Sequence, residues 1–171
     1  RIDGRENEGE VGEDKYSFSI ADESGKININ ALTDANSIIF NNLMVNLGIP
    51  GETANTIVDS VLDWKDEDNL RRLNGAEDSY YEALPVPYKA KNGNFDTIEE
   101  LLLVRGVTPE ILFGNGGHPG LANFLTVYTK GSTINLNAAA KEVIAALPNM
   151  TSSMADKIVE FRETAELKGQ Q

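Results

Sequence analysis

A short pattern that occurs twice decides the predicted fold, with GKININA at residues 25–31 and GSTINLNA at residues 131–138. Both copies alternate apolar and amide side chains, which is the period of a strand with one buried face. Each copy runs into a helix-forming segment. Asn30 and Asn137 are expected to cap these helices, because an amide oxygen accepts hydrogen bonds from free backbone N–H groups. We therefore expect both strands in one sheet, with the chain between them forming an excursion.

The remaining pattern predicts a β-hairpin at the first copy and three helical hairpins. Residues 16–20 alternate as a strand, a turn follows at residues 22–25, and residues 26–30 return as the hairpin partner. Apolar residues at helical spacing flank three short turns that contain Gly or Pro. These turns lie at residues 48–51, 106–109 and 148–151. The predicted fold class is therefore α/β (α+β), a sheet interrupted by helix-hairpin-helix-like units.

Composition excludes several functional classes. The 171 residues carry a formal net charge of −12, which opposes binding to nucleic acid phosphates or anionic membranes unless a basic patch exists locally. There is no cysteine, so disulfides, thiolate metal sites and a cysteine nucleophile are excluded. No apolar run reaches the roughly 20 residues that span a bilayer. The polar residues 1–14 are expected to be a flexible tail or the stub of a removed anchor.

An acidic run at residues 59–78 is the strongest candidate site. Asp63 and Asp66 lie at the end of a predicted helix, where free carbonyls already concentrate negative charge. We therefore expect a compensating cation at this end. One candidate is a calcium ion held by carboxylate and carbonyl oxygens. The other is an ion-pair network with Lys65, Arg71 or Arg72, and the spacing alone favours this network over calcium.

Aromatic residues surround this acidic run, namely Trp64, Tyr80, Tyr81 and Tyr88. Side chains of this size contribute most when they are buried against one another. We expect them to form a local core beneath the acidic residues, with Trp64 as its anchor.

Two other functional classes fit parts of the sequence. Helix-hairpin-helix units often bind DNA through backbone N–H groups of a glycine-containing tip, which suggests a DNA-binding protein of the DNA-uptake type. None of the three tips keeps both glycines, and Pro50 lacks a donor, so a packing role is favoured. Paired carboxylates also suit a glycosidase, but the acids cluster in one run. The single histidine, His118, lies in a glycine-rich loop, and we expect it to be exposed and non-catalytic.

Four motifs, taken in chain order, resemble a known family. They read VDSVLDW at residues 58–64, NGAEDSYY at 74–81, NGNFDTIEEL at 92–101 and VRGVT at 104–108. Together with the two asparagine-rich stretches, they resemble minor pseudopilin K of the type II secretion system, also called general secretion pathway protein K. The resemblance covers approximately residues 16–162.

The resemblance implies a pilin-like α/β domain whose sheet is interrupted by a large helical insertion. The pilin-like domain would be discontinuous and comprise residues 1–30 and 118–171, and the insertion would comprise residues 31–117. Members of this family usually continue past the last helical hairpin with further strands. The chain is therefore expected to be either a shortened form or a compact variant.

The resemblance also implies a function. Family members cap the tip of the periplasmic pseudopilus in complex with minor pseudopilins I and J. An N-terminal hydrophobic helix, expected to be missing from this chain, anchors them in the inner membrane and is their only membrane contact. A structural protein without catalytic activity and without a nucleic acid partner is therefore expected. Family members bind calcium in the helical domain, and this implication favours calcium over the ion-pair network. The ligand positions carried onto this chain are Asp63, Asp66, Asp68, Glu77 and Asp78.

Overall fold

The computed structural model describes residues 6–12 and 14–164. Its strands and helices are, in chain order, β1 (Glu6–Val11), β2 (Asp14–Ser19), β3 (Ile27–Asn28), α1 (Ile38–Asn46), α2 (Gly51–Lys65), α3 (Asp78–Tyr81), α4 (Pro109–Phe113), β4 (Gly114–Asn115), β5 (His118–Pro119), β6 (Leu125–Thr126), α5 (Lys141–Ala145) and α6 (Ser152–Thr164). Four 3₁₀ segments lie at Glu23–Gly25, Ile29–Ala31, Ile98–Leu103 and Leu121–Asn123. The predicted mixture of helices and strands is confirmed.

Helix α2 lies at the centre of the hydrophobic core. Its apolar residues recur every three or four positions, so Ile57, Val61 and Trp64 share one face and are at most 2% exposed. Helix α1 packs against α2 and buries Phe40 and Leu43 completely. Helix α5 packs against α1, and α6 packs against α5. This chain of contacts joins the end of the sequence to its middle.

Strand pairing differs from the predicted β-hairpin. Strand β2 pairs antiparallel with β1, whereas β3 pairs parallel with β6. The Asp22 carboxylate accepts a hydrogen bond from the backbone N–H of Ser24 and starts a 3₁₀ turn instead of a tight reversal. The chain then buries Ile27 beside Leu125, at 2% and 1% exposure. Residues 26–30 are therefore not the hairpin partner of residues 16–20, because burial with a distant strand competes with the local turn.

The second asparagine-rich stretch is not a strand, so the prediction that both copies are strands of one sheet is wrong. The two copies still contact each other, because the side-chain amide of Asn28 donates to the carbonyl of Gly131 at 3.3 Å. The N–H of Asn135 also donates to the carbonyl of Ser24, just before the first copy, at 2.8 Å. The capping residues also differ from the prediction. The Asn28 and Asn135 side chains accept from backbone N–H groups two residues onward, at 2.9 and 3.1 Å, because an amide reaches that donor most easily.

Asn30 has a different task from the predicted cap. Its side-chain amide donates to the carbonyl of Phe95 at 2.9 Å, and its side-chain oxygen accepts from the N–H of the same residue at 2.8 Å. A single asparagine therefore joins the first copy of the pattern, residues 25–31, to the loop before the Ile98–Leu103 segment.

The N-terminal segment is more regular than the predicted tail. Residues 6–11 form β1, which pairs with β2 along its whole length. Tyr16 and Phe18 stack on one side of this hairpin at 6.0 Å and remain 48% and 43% exposed. Residues 1–5, 13 and 165–171 lie outside the described part of the chain. The last of these ranges is the C-terminal end of the predicted pilin-like domain. Within the described part, no helix is both long enough and apolar enough to cross a membrane.

The predicted helical hairpins are realised to different degrees. Residues 47–50 join α1 to α2, and residues 146–151 join α5 to α6. Between them, the apolar residues before the predicted turn at residues 106–109 form a 3₁₀ segment, Ile98–Leu103, instead of an α-helix. This segment ends before Gly106, where φ is +90°. The glycine-rich loop of residues 114–120 folds back on itself through β4 and β5. The side chain of His118 is not described. The division into two domains stays a prediction.

Replacement of Gly25 by alanine is expected to lower the free energy of unfolding by about 1–3 kcal/mol. Gly25 is buried, and an added Cβ would lie 2.6 Å from the carbonyl carbon of Ala138. Gly51→Ala is the matched control, because a Cβ there meets no atom within 4 Å and the residue starts α2. Urea unfolding of both variants tests this, and equal midpoints would contradict the close approach.

Candidate metal centre

The structure brings three of the predicted ligands together at the end of α2. We define the acidic centre as Asp63, Asp66 and Glu77, each of which offers a ligand oxygen within 4.8 Å of the others. Asp63 lies in the last turn of α2, Asp66 caps the helix, and Glu77 immediately precedes α3. The loop between α2 and α3 therefore closes the centre by bringing Glu77 back to the helix end.

Backbone N–H groups hold this loop against the carboxylates. The N–H of Arg72 donates to both Asp63 oxygens at 3.3 and 3.2 Å, and the N–H of Asn74 donates to Asp59 at 2.9 Å. The same loop requires a glycine at position 75, because a Cβ there would collide with the carboxylate of Asp63. The loop thus approaches the helix end more closely than a residue with a side chain would allow.

Glu77 is the least compensated group of the centre. Its side chain is only 1% exposed, and among the described residues neither of its carboxylate oxygens has a hydrogen-bond partner. One buried oxygen of Asp66, Oδ1, is also without a partner there. Burial of an unpaired carboxylate is costly. Burial, together with the charges of Asp63, Asp66, Asp68 and Asp78, raises the pKa of Glu77 to about 7.

The three candidate cations take different positions. Arg72 Nη1 donates to Asp63 Oδ1 at 2.8 Å and to Asp66 Oδ2 at 2.6 Å. The ammonium of Lys65 turns away and donates to the carbonyls of residues 29, 30 and 32, and burial lowers its pKa to about 8. Arg71 is exposed. An ion pair therefore compensates part of the centre and leaves Glu77 without a partner.

The other two predicted ligands, Asp68 and Asp78, lie outside this group of three. Asp68 is exposed and accepts from the N–H of Leu70 at 2.7 Å. Asp78 accepts from the N–H of Ala90 at 3.0 Å and from the ammonium of Lys89 at 3.1 Å. Both charges still act on the pKa of Glu77. The full set of five ligands stays a prediction.

Two carboxylates with structural tasks at this site were not among the predicted ligands. Asp34 forms a two-pronged ion pair with Arg72, and Asp59 accepts two hydrogen bonds from Asn74. Asp34 lies in the connection before α1, far from the acidic run in sequence, so no local spacing indicates its role. Asp59 precedes Asp63 by four residues in α2, so helical spacing puts both on one face of the helix.

The predicted aromatic core is confirmed beneath the centre. The Trp64 ring meets Tyr81 edge to face at a centroid distance of 5.2 Å, and Tyr81 stacks on Tyr88 at 5.2 Å. Trp64 Nε1 donates to Glu100 at 2.9 Å, which satisfies the indole where it is buried. These contacts position the end of α2 against α3, and hence Asp63 against Glu77.

The donor set fits a hard divalent cation. All of its atoms are carboxylate oxygens, which calcium and magnesium prefer, and calcium tolerates the irregular geometry of a loop. The buried oxygens of Glu77 and Asp66 that have no donor in the described chain are the observation that supports this fit. A cation there would compensate charge that Arg72 does not reach.

Comparison with known proteins identifies the family. Residues 25–113, just over half of the chain, match the family model described as Type II secretion system (T2SS), protein K. All four sequence motifs lie within this range. The chain therefore belongs to the type II secretion system protein K family, and the resemblance predicted from the sequence is confirmed.

Curated relatives are longer than this chain. Type II secretion system protein K of Pectobacterium carotovorum is 36% identical over 113 residues, which cover 64% of this chain and 34% of the relative. The protein of the same name from Pseudomonas aeruginosa is 28% identical over 150 residues, which cover 84% of this chain and 43% of the relative. The chain thus spans less than half the length of these curated relatives.

A solved structure supports the fold. The chain is similar, with a TM-score of 0.62 and 22% identity, to a chain in the crystal structure of the GspK-GspI-GspJ complex from the type 2 secretion system of enterotoxigenic Escherichia coli. The match covers 84% of this chain and 53% of that chain. The arrangement of helices and small sheets is therefore one that a secretion-system component also adopts.

The metal-free protein is expected to lose stability between about pH 4.5 and pH 7 through Glu77. Its pKa is raised from 4.5 to about 7 on folding, so in this range the folded state binds a proton that the unfolded state has lost. The contribution is present below pH 4.5 and disappears as pH rises through 7, and it amounts to about 3 kcal/mol.

Urea unfolding of wild type and Glu77→Gln in metal-free buffer at pH 5 and pH 8 measures this contribution. The glutamine variant is expected to gain stability relative to wild type at the higher pH. Glu99→Gln, at an exposed position, is the control and should parallel wild type. A Glu77→Gln curve that also parallels wild type would contradict the buried, uncompensated carboxylate.

Proposed function

We propose that this chain is the folded, periplasmic part of a minor pseudopilin K that assembles with minor pseudopilins I and J. Membership of the protein K family carries this proposal. The fold likeness to a chain from a GspK-GspI-GspJ complex supports it further. The protein would act as a structural component without a catalytic role, and it would contribute to protein export across the outer membrane.

Placement at the tip of the pseudopilus follows from shape in this proposal. In this proposal the helices between β3 and β6, among which α1 packs against α2, form a bulky block. A subunit stacked above this block in a filament would meet the helices instead of a sheet surface. A chain that carries this block can therefore end a filament but cannot continue it.

The outer segments would form the pilin-like part of the protein. The β1–β2 hairpin has one aromatic side, where Tyr16 and Phe18 remain about half exposed, and one acidic side that carries Glu8 and Glu10. A face of this kind is suited to packing in a larger sheet domain. Residues 1–30 and 118–171 remain our proposed boundaries for that domain, with residues 31–117 as the insertion.

Calcium is the cation that we propose for the acidic centre. Asp63, Asp66 and Glu77 would hold it, with Asp68 and Asp78 as further ligands carried over from the family resemblance. The ion would supply two positive charges at a helix end that carries buried carboxylates, and it would hold the loop before α3 to α2. No observation on the described residues favours the DNA-binding alternative, and the net charge of −12 opposes it.

Calcium is expected to raise the melting temperature of this chain, and the gain should grow with the logarithm of calcium concentration. Stabilisation at one hundred times the dissociation constant would be about 2.7 kcal/mol. The double variant Asp66→Ala and Asp68→Ala should lose this gain, because it removes two of the proposed ligands. Differential scanning calorimetry in calcium and in chelator measures both effects.

A charge-matched control separates ligand loss from a general change in charge. Glu99 and Glu160 are exposed acids outside the acidic centre, and their double alanine variant should keep the full calcium response. The same melting temperature for wild type in calcium and in chelator would rule out the calcium part of the proposal.

The assembly part of the proposal predicts a ternary complex with purified minor pseudopilins I and J. Sedimentation velocity of the three proteins together should show a species larger than any pair. The same experiment in chelator tests whether the metal is needed for assembly. Separate sedimentation of all three proteins in both conditions would contradict assembly through the described surface of this chain.

A further inference from the structure

The guanidinium of Arg72 joins acidic partners from two different parts of the chain. Its Nε and Nη2 donate to Oδ1 and Oδ2 of Asp34, both at 3.0 Å. Its Nη1 donates to Asp63 at 2.8 Å and to Asp66 at 2.6 Å. All three nitrogens are therefore engaged, with an exposed carboxylate on one side and the acidic centre on the other.

Arg72 Nη1 binds carboxylates that a metal ion in the centre would also use. Asp63 and Asp66 each offer an oxygen to the group that includes Glu77. A carboxylate oxygen that accepts a short bond from a guanidinium is partly neutralised and is less available to a second cation. Arg72 and a divalent ion are therefore competitors for the same two side chains.

The competition is unequal, because one guanidinium cannot satisfy three carboxylates. Glu77 is 1% exposed and receives no hydrogen bond from any described residue, so within the acidic centre the guanidinium of Arg72 reaches Asp63 and Asp66 but not Glu77. A divalent ion brings twice the charge and can contact all three groups. Arg72 should therefore reduce the affinity of the centre for metal without preventing metal binding.

Asp34 holds Arg72 near the centre independently of these contacts. The Asp34 side chain is 76% exposed and lies before α1, outside the acidic centre. Its two hydrogen bonds use Nε and Nη2 and leave Nη1 out. If a metal ion displaces Nη1, the fork with Asp34 still has both of its bonds, and the backbone N–H of Arg72 still faces Asp63. The guanidinium is therefore tethered beside the site.

We propose that Arg72 is a tethered counter-cation that sets the metal affinity of the acidic centre, and that Asp34, which holds the guanidinium in place, also offsets part of its positive charge. The inference rests on the proposed calcium centre and adds two residues that act on it without being ligands. It predicts opposite effects for the two side chains. Loss of the Arg72 charge strengthens calcium binding, and loss of the Asp34 charge weakens it.

Isothermal titration with calcium on wild type, Arg72→Gln and Asp34→Asn tests this proposal. Arg72→Gln should bind calcium about tenfold more tightly or better, since a nearby positive charge is removed. Its metal-free form should melt at a lower temperature than metal-free wild type, because two aspartates lose their shared partner. Asp34→Asn should bind calcium at least about threefold more weakly.

Arg71→Gln is the matched control, because it makes the same charge change at the exposed neighbouring position. It should change the calcium affinity by less than about threefold. Equal effects of Arg71→Gln and Arg72→Gln would overturn the proposal, since a general charge effect would then be sufficient. If Arg72→Gln does not fold without metal, Arg72→Lys takes its place, because it keeps the positive charge but not the two-pronged ion pair with Asp34. The change in calcium affinity from wild type to Arg72→Lys should be smaller than the change from wild type to Arg72→Gln refolded in calcium.

The outcomes separate this proposal from the calcium centre itself. A wild-type chain that binds no calcium would refute the calcium centre and, with it, the role of Arg72. A wild-type chain that binds calcium together with an Arg72→Gln variant that binds no more tightly would refute only the tethered counter-cation. A tighter Arg72→Gln variant and a weaker Asp34→Asn variant would support both.

Discussion

Buried negative charge at the end of α2 is the constraint on which the middle of this protein depends. Asp63 is fully buried and Glu77 is 1% exposed, at a helix end that already carries partial negative charge. Such a place is unfavourable for two carboxylates unless positive groups converge on it. The backbone N–H and guanidinium of Arg72 meet this need at Asp63, and the missing side chain of Gly75 lets the loop approach that carboxylate. Glu77 has no such partner among the described residues.

The same helix end joins the helical block to the first sheet segment. Lys65 donates to three carbonyls of residues 29–32, and Asn30 binds the backbone of Phe95 on its other side. Trp64 packs in the aromatic core directly beneath. A cation at the acidic centre would therefore stiffen the junction between two parts of the molecule, which suits a structural component that must keep its shape in an assembly.

The candidate site could be predicted only in part. The acidic run and its aromatic surroundings are local in sequence, and helical spacing placed Asp63 at the helix end. The structure then separates the five predicted ligands: Asp63, Asp66 and Glu77 converge, whereas Asp68 and Asp78 hold the backbones of neighbouring loops. Spacing cannot separate these two roles, because both follow from how the loop returns to the helix. The role of Asp34 depends on a contact between distant segments and has no local signal.

The sequence by itself determined the helices α1, α2 and α6, the aromatic core and the family, because apolar residues three and four positions apart and contiguous motifs are local features. Only the tertiary structure decided which strands pair. Strand β3 pairs with β6, which places Ile27 beside Leu125, and does not pair with β2, the strand before it in the chain. Burial with a distant partner outweighs a nearby turn. Tertiary structure also decided which asparagines act as caps and which carboxylates are buried. Both depend on which distant segments pack against each residue and not on its neighbours in the chain.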